Sequence, residues 1–184
     1  MMNTPSLCSF PAKTIGLFYG SSTCYTEIVA EKIVAEMRHL KVPVDLFNIA
    51  QEPVATMNAY QQLLLGIPTW DYGELQEDWE QVWDQLDAVN FSNKQVALFG
   101  IGDQQGYPEW FLDALGYLHA KVKSLGATTL GYWPTTGYSF EQSKALTASG
   151  KQFVGLAIDD ETQFDQTDQR VQLWCQQLVN EFKR

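Results

Sequence analysis

A chain of 184 residues, 45% of them hydrophobic, is of single-domain size and has enough apolar material for a layered core. Its net charge of −10 argues against nucleic acid and anionic membrane surfaces as partners, because both need a basic face. No apolar run is long enough to span a bilayer, and "MMNTPSLCSFPAK" lacks the pattern of a signal peptide; three widely spaced cysteines (Cys8, Cys24, Cys175) fit a reduced, cytoplasmic protein. Residues 1–12 read as a flexible extension of one domain over 13–184.

"KTIGLFY" (13–19) reads as a buried strand. From Thr26 to Leu40, Val29, Ile33 and Met37 recur four apart, which predicts an amphipathic helix. Apolar runs at 42–49, 60–67 and 95–101 predict three further strands. Trp79, Val82, Trp83 and Leu86 mark a helix, and Phe111, Ala114, Leu115, Leu118, Val122 and Leu125 a second strong helical stripe. "ATTLGYW" (127–133) is a fifth strand. "QFVGLAI" (152–158) is another strand or the continuation of the fifth, and Val171, Trp174, Cys175, Leu178, Val179 and Phe182 define the last helix. The polar segment 134–151 reads as a surface insertion. Strand–helix alternation implies an α/β fold with a parallel sheet covered on both faces. In such sheets ligands sit beyond the C-terminal strand ends, where the strand order reverses.

Three loops at those ends are unusual. Loop one, "GSSTCYT" (20–26), opens a helix, so its amides and the helix dipole favour an anion such as phosphate. Ser21, Ser22, Thr23 and Thr26 add hydroxyls. The nucleotide pattern G-x-x-x-x-G-K-[ST] and the dinucleotide pattern G-x-G-x-x-G are absent, and simple helix capping is the competing explanation. Loop two, "GIPTWDYGELQEDW" (66–79), carries Trp70 beside Pro68 and Thr69. Loop three, "GIGDQQGYPEW" (100–110), carries Tyr107, and Gly100, Gly102 and Gly106 are expected to let the backbone approach a planar group. Two aromatic rings and a phosphate cradle at one end of one sheet describe a site for flavin mononucleotide (FMN). His39 and His119 fall in helical patterns and read as solvated or capping residues. No nucleophile, acid–base dyad or metal-ligand cluster is evident.

"LFYGSSTCYTE", "GIPTWDYGELQEDWE" and "GDQQGYPEWFLDALG" together resemble the three cofactor loops of flavodoxins, and the resemblance runs from Lys13 to Phe182. It implies a doubly wound five-stranded parallel sheet of order 2-1-3-4-5, with helices on both faces. The 134–151 insertion lies where long-chain flavodoxins interrupt their fifth strand, and the Cys-Tyr form of loop one is most similar to the second, B-type, flavodoxins of enteric-type bacteria. The resemblance implies that Ser21, Ser22, Thr23, Cys24, Tyr25 and Thr26 hold the phosphate. Pro68, Thr69, Trp70, Asp71, Tyr72 and Gly73 would flank one side of the ring. Gly100, Ile101, Gly102, Asp103, Tyr107 and Trp110 would flank the other, with Tyr107 as the stacking tyrosine. Cys24 stands where most flavodoxins have glycine, so it is expected to take an ordinary φ and point its side chain away; a small buried thiol is the ordinary reading, and a redox-sensitive or modifiable thiol the alternative to it.

The implied function is a low-potential carrier of single electrons, a monomer working between an NADP-linked flavodoxin reductase and acceptor enzymes. Clustered acids (Asp71, Glu74, Glu77, Asp78, Asp103) would repel added negative charge on the flavin and steer the protein onto basic partners. Two alternatives stay open on sequence: an FMN-dependent quinone reductase of the same fold, and a binding module that has lost flavin.

Overall fold

The computed structural model describes residues 13–182; the expected 1–12 extension lies outside the described residues. The elements run β1 (Ile15–Tyr19), α1 (Tyr25–His39), β2 (Val44–Asn48), β3 (Gln62–Trp70), β4 (Glu74–Leu75), α2 (Glu77–Val82), β5 (Gln95–Ile101), α3 (Asp113–Ser124), β6 (Thr128–Leu130), β7 (Trp133–Pro134), β8 (Gln152–Phe153), β9 (Leu156–Ile158) and α4 (Thr167–Glu181). Short 3-10 turns at 54–59, 84–88 and 164–166 complete the chain.

The sheet order is β2-β1-β3-β5-β6, all parallel. Its last position is shared by two short strands. β6 pairs with Gln95–Ala97 of β5, and β9 pairs with Phe99–Ile101. The fifth strand is therefore interrupted, and the ambiguous run 152–158 splits into β8, which leaves the sheet, and β9, which completes it. The central strands β1, β3 and β5 are largely apolar and buried because both faces are covered, whereas the edge strands β2 and β6 carry exposed polar residues such as Asp45 and Thr128. Successive residues of β5 show it: Phe99 meets Trp174 of α4, with ring centroids 6.3 Å apart, while a Cβ on Gly100 would lie 3.0 Å from Leu115 Cβ of α3, on the opposite face.

The 134–151 segment departs from its reading as a surface insertion. It folds back through the β7–β8 hairpin and buries Ala145 completely. Tyr138 and Phe140 join Phe111 and Phe153 in an aromatic cluster with centroid separations of 5.2 to 5.9 Å. Contact with α3 is close: a Cβ on Gly116 would meet the Lys144 carbonyl oxygen at 2.3 Å. Polar composition concealed a segment anchored by a few aromatic side chains, and only the fold brings those rings together.

His119 also differs from expectation. It is half-buried, and its Nε2 lies 3.1 Å from Thr129 Oγ1 and 3.3 Å from the Tyr132 hydroxyl. Burial, then the nearby Lys123, push its pKa down to about 4. In the unfolded chain it takes up a proton near pH 6.5. The contribution of the neutral ring to stability is thus complete above pH 6.5 and declines as pH falls towards 4. We expect the urea midpoint to drop between pH 7.5 and 5.5, and His119→Gln to flatten that slope; an unchanged slope would contradict the assignment.

Candidate functional site

Loops one, two and three meet at the C-terminal end of the sheet, around a cleft of about 280 Å³. Loop one contributes Thr23 and Tyr25. The end of β3 and its turn contribute Pro68, Thr69, Trp70 and Asp71. Ile101, Gly102, Asp103, Tyr107 and Trp110 come from the third segment. Ser21, Ser22, Cys24, Thr26, Tyr72, Gly73 and Gly100, also expected at the site, do not line this cleft. Tyr72 and Gly73 face a second groove of about 830 Å³ with Trp83, Tyr117 and Lys121. That groove is larger, but it lies along α3 and α2 rather than beyond the strand ends.

Side-chain capping, the competing explanation for loop one, is absent. α1 begins at Tyr25 without a side-chain cap, so its first-turn amides have no intrahelical partner. Ser22 Oγ accepts from Gln76 Nε2 at 3.0 Å. Ser21 Oγ is buried and has no hydrogen-bond partner. A buried orphan hydroxyl costs about 1–3 kcal/mol unless an outside group satisfies it, so here it points to a ligand with acceptor oxygens.

Cys24 corrects the sequence reading. Its φ is 67° and ψ −10°, so it occupies the left-handed region rather than an ordinary φ. The backbone shape suited to glycine is retained although a side chain is present. That conformation costs an L-residue about 1–2 kcal/mol. Cys24→Gly is therefore expected to stabilise the apoprotein by up to about 1 kcal/mol, part of the gain being offset by the entropy of glycine in the unfolded chain. A chemical-denaturation midpoint checks it; a lower midpoint would contradict it. The thiol itself is exposed.

Loop two is not a loose loop. β3 continues to Trp70 and turns back into β4, with Thr69 opposite Leu75 and Trp70 opposite Glu74. Asp71, at φ 42°, and Gly73, at φ 90°, make the tight turn, and the Gly73 amide donates to the Trp70 carbonyl at 3.1 Å. Trp70 is thus held on a strand end, half-buried, and the Thr69 hydroxyl accepts from the Ala114 amide at the start of α3, at 3.2 Å.

Loop three is built around Asp103, whose Oδ1 accepts from the amides of Gln105 (3.0 Å) and Gly106 (2.7 Å). Gly100 and Gly106 serve packing, while Gly102 both packs on Phe111 and lines the cleft. A Cβ on Gly100 or Gly102 would crowd Leu112, Leu115 or Phe111, and one on Gly106 would lie 2.1 Å from Asp103 Oδ2. Tyr107 follows, 41% exposed at the cleft mouth.

The fold adds a wall that the sequence reading missed. Phe111 lies at the base of the cleft, and Asp160 and Glu161, in the turn after β9, form a fourth side. Their position depends on β9 completing the fifth strand, which no local pattern reveals. Four carboxylates (Asp71, Asp103, Asp160, Glu161) and no Lys, Arg or His line the cleft. No His/Cys/Asp/Glu cluster suited to a metal ion occurs among the described residues, and none of their helices is long and apolar enough to cross a membrane.

An open α/β sheet with Trp70 and Tyr107 lining one strand-end cleft, which loop one reaches through Thr23 and Tyr25 and where that loop also carries an orphan hydroxyl and an uncapped helix start, has the make-up of a small ligand-binding protein for a flat, phosphorylated group. The family profile described as Flavodoxin matches residues 17–174, and the chain belongs to that family. It is 56% identical over 169 residues to Flavodoxin 2 of Escherichia coli strain K12, an alignment covering 91% of this chain and 95% of that one. It is 51% identical to a flavodoxin of Synechococcus elongatus, covering 91% and 97%. Among solved structures, a Fusobacterium nucleatum flavodoxin bound to flavin mononucleotide superposes with a TM-score of 0.86 at 30% identity, covering 92% of this chain and 98% of that one. Flavodoxins are FMN-dependent electron carriers rather than enzymes.

Proposed function

We propose that this chain binds FMN non-covalently in the strand-end cleft and carries single electrons at low potential between a reductase and acceptor enzymes. The observation that carries the reading is the cleft itself: Trp70 and Tyr107 line one cavity with Thr23 and Tyr25 of loop one, among four carboxylates and no cation, and the same loop carries the buried, unpartnered Ser21 hydroxyl. In this reading Ser21, Ser22, Thr23, Thr26 and the first-turn amides of α1 hold the phosphate, with the backbone of Cys24 and Tyr25. Trp70 and Tyr107 flank the ring, and Pro68, Thr69, Ile101, Gly102 and Trp110 shape the walls. The backbone of Asp71, Tyr72 and Gly73 faces the reactive edge.

When bound, FMN supplies the redox chemistry. The protein's residues bind it, exclude water from its faces and set the surrounding charge. The phosphate is met by hydroxyls and amides instead of a lysine, and the carboxylates disfavour further negative charge on the ring. Asp71, Glu74, Glu77 and Glu80 are exposed around loop two and make an acidic docking face for a basic NADP-linked reductase and basic acceptors, which suits fast, weak encounters of a monomer. The exposed Cys24 and buried free Cys175 suit the reducing cytoplasm.

A visible spectrum recorded during stepwise anaerobic reduction tests the reading. A yellow protein that gains a long-wavelength blue band after the first electron and then pales is expected. Bleaching in a single two-electron step would overturn the one-electron carrier in favour of a quinone reductase. A protein that stays colourless with added FMN would overturn flavin binding altogether.

A further inference from the structure

Gln104 and Asp159 are 2% and 0% exposed. The Asp159 carboxylate forms no ion pair among the described residues, yet it accepts five hydrogen bonds. Its Oδ2 accepts from the Gln104 amide at 3.2 Å, Gln104 Nε2 at 2.7 Å and Thr162 Oγ1 at 2.6 Å. Its Oδ1 accepts from the amides of Glu161 and Thr162 at 3.1 and 2.9 Å. Gln104 in turn accepts the Ser139 amide on its Oε1 at 2.5 Å. One buried pair therefore joins loop three, the turn after β9 and the 134–151 segment.

Its neighbours in sequence are cleft residues. Asp103 precedes Gln104, and Asp160 and Glu161 follow Asp159; all three line the cleft, whereas Gln104 and Asp159 do not. A buried carboxylate satisfied wholly by neutral donors is stable only while every donor stays in place. Any shift of loop three relative to the turn leaves a charge and several amides unpaired. A network of this kind holds the two walls at one separation.

We propose that Asp159, acting through Gln104, is a positioning residue that sets Asp103, Tyr107 and the Asp160–Glu161 edge against the flavin. This rests on the reading of the cleft as the FMN site. The pair spaces two walls whose residues lie 55 positions apart in the chain.

The test compares apoproteins of the wild type, Asp159→Asn, Gln104→Met and the double variant Asp159→Asn with Gln104→Glu. Each is titrated with FMN by fluorescence quenching, and both one-electron potentials are measured at saturating FMN. Asp159→Asn sets an amide against the Gln104 donors and is expected to weaken FMN binding at least tenfold and to shift the second potential. Gln104→Met keeps the Glu161 and Thr162 donors and is expected to weaken binding about threefold to tenfold. The double variant restores the side-chain donor–acceptor pair with reversed polarity, although the Gln104 main-chain N–H loses its acceptor, and is expected to recover part of the affinity lost in Asp159→Asn. If Asp159→Asn does not fold, Gln104→Met decides. Variants with lowered urea midpoints but FMN affinity within twofold of wild type and unchanged potentials would reduce the pair to a staple of the fold and overturn the proposal. A wild-type apoprotein that ignores FMN would instead overturn the flavin reading on which it rests.

Discussion

Replacing Trp70 by alanine is expected to raise the FMN dissociation constant about ten- to a hundredfold while leaving the apoprotein's stability nearly unchanged. Stacking of a flat heteroaromatic ring on an aromatic side chain contributes about 1–3 kcal/mol, and each 1.4 kcal/mol is about tenfold in affinity. The backbone of Trp70 is fixed by pairing with Glu74 and by the Gly73 amide, interactions that an alanine keeps. The side chain is half-buried and lines the cleft, so its removal opens one wall without emptying the core. Tyr107→Ala should act in the same direction and fall nearer tenfold, because Tyr107 stands 41% exposed at the cleft mouth and its loop is held by Asp103 rather than by its own ring. Fluorescence titration of the apoproteins measures both. Affinities within twofold of wild type for both variants would mean that these rings do not flank the flavin.

The second large effect concerns charge. Asp71→Asn, Asp160→Asn and Glu161→Gln remove three of the four cleft carboxylates and spare Asp103, whose oxygen is committed to the turn of loop three. One carboxylate about 10 Å from the ring, at an effective dielectric of about 40, opposes an added negative charge by about 0.8 kcal/mol. At about 59 mV per tenfold for one electron, that is about 35 mV. The triple variant should therefore raise the second one-electron potential by about 100 mV at low salt, and by less at high salt, where screening already weakens the same field. Asparagine tolerates the left-handed φ of 42° at position 71, so the turn should survive. Potentiometric titration at two ionic strengths checks both the size and the salt dependence. A potential that does not move would mean that these carboxylates do not set it.

Much of the site was legible because its signals are local. A strand ending in a glycine and a run of hydroxyl residues before an amphipathic helix identified loop one. Trp70 and Tyr107 stood out as large aromatics just beyond strand ends, and the cleft brings them together as expected. What was read less well depends on neighbours distant in sequence. Gly100 and Gly106 looked like ligand-facing glycines, yet they make room for α3 and for the Asp103 carboxylate and do not line the cleft, whereas Gly102 does. Cys24 looked unable to take a glycine's conformation; the surrounding turn holds it there at φ 67°. Loop two looked irregular, although the β3–β4 turn gives it ladder pairing that no alternation pattern advertises.

The sequence by itself determined the alternation of strands and helices along the chain and the parallel sheet, because periodicity is a property of short windows, and the resemblance of its three loops pointed to the family. Only the tertiary structure decided that β6 and β9 share one sheet position, that the polar 134–151 segment anchors an aromatic cluster, and that Asp160 and Glu161 close the cleft. It also decided that Asp159 lies buried among five donors rather than in a solvated acidic run. The physical reason is the same in each case. Pairing and burial between residues tens of positions apart are set by how the layers pack, and one carboxylate in an acidic stretch looks like the next until the fold places it in or out of water.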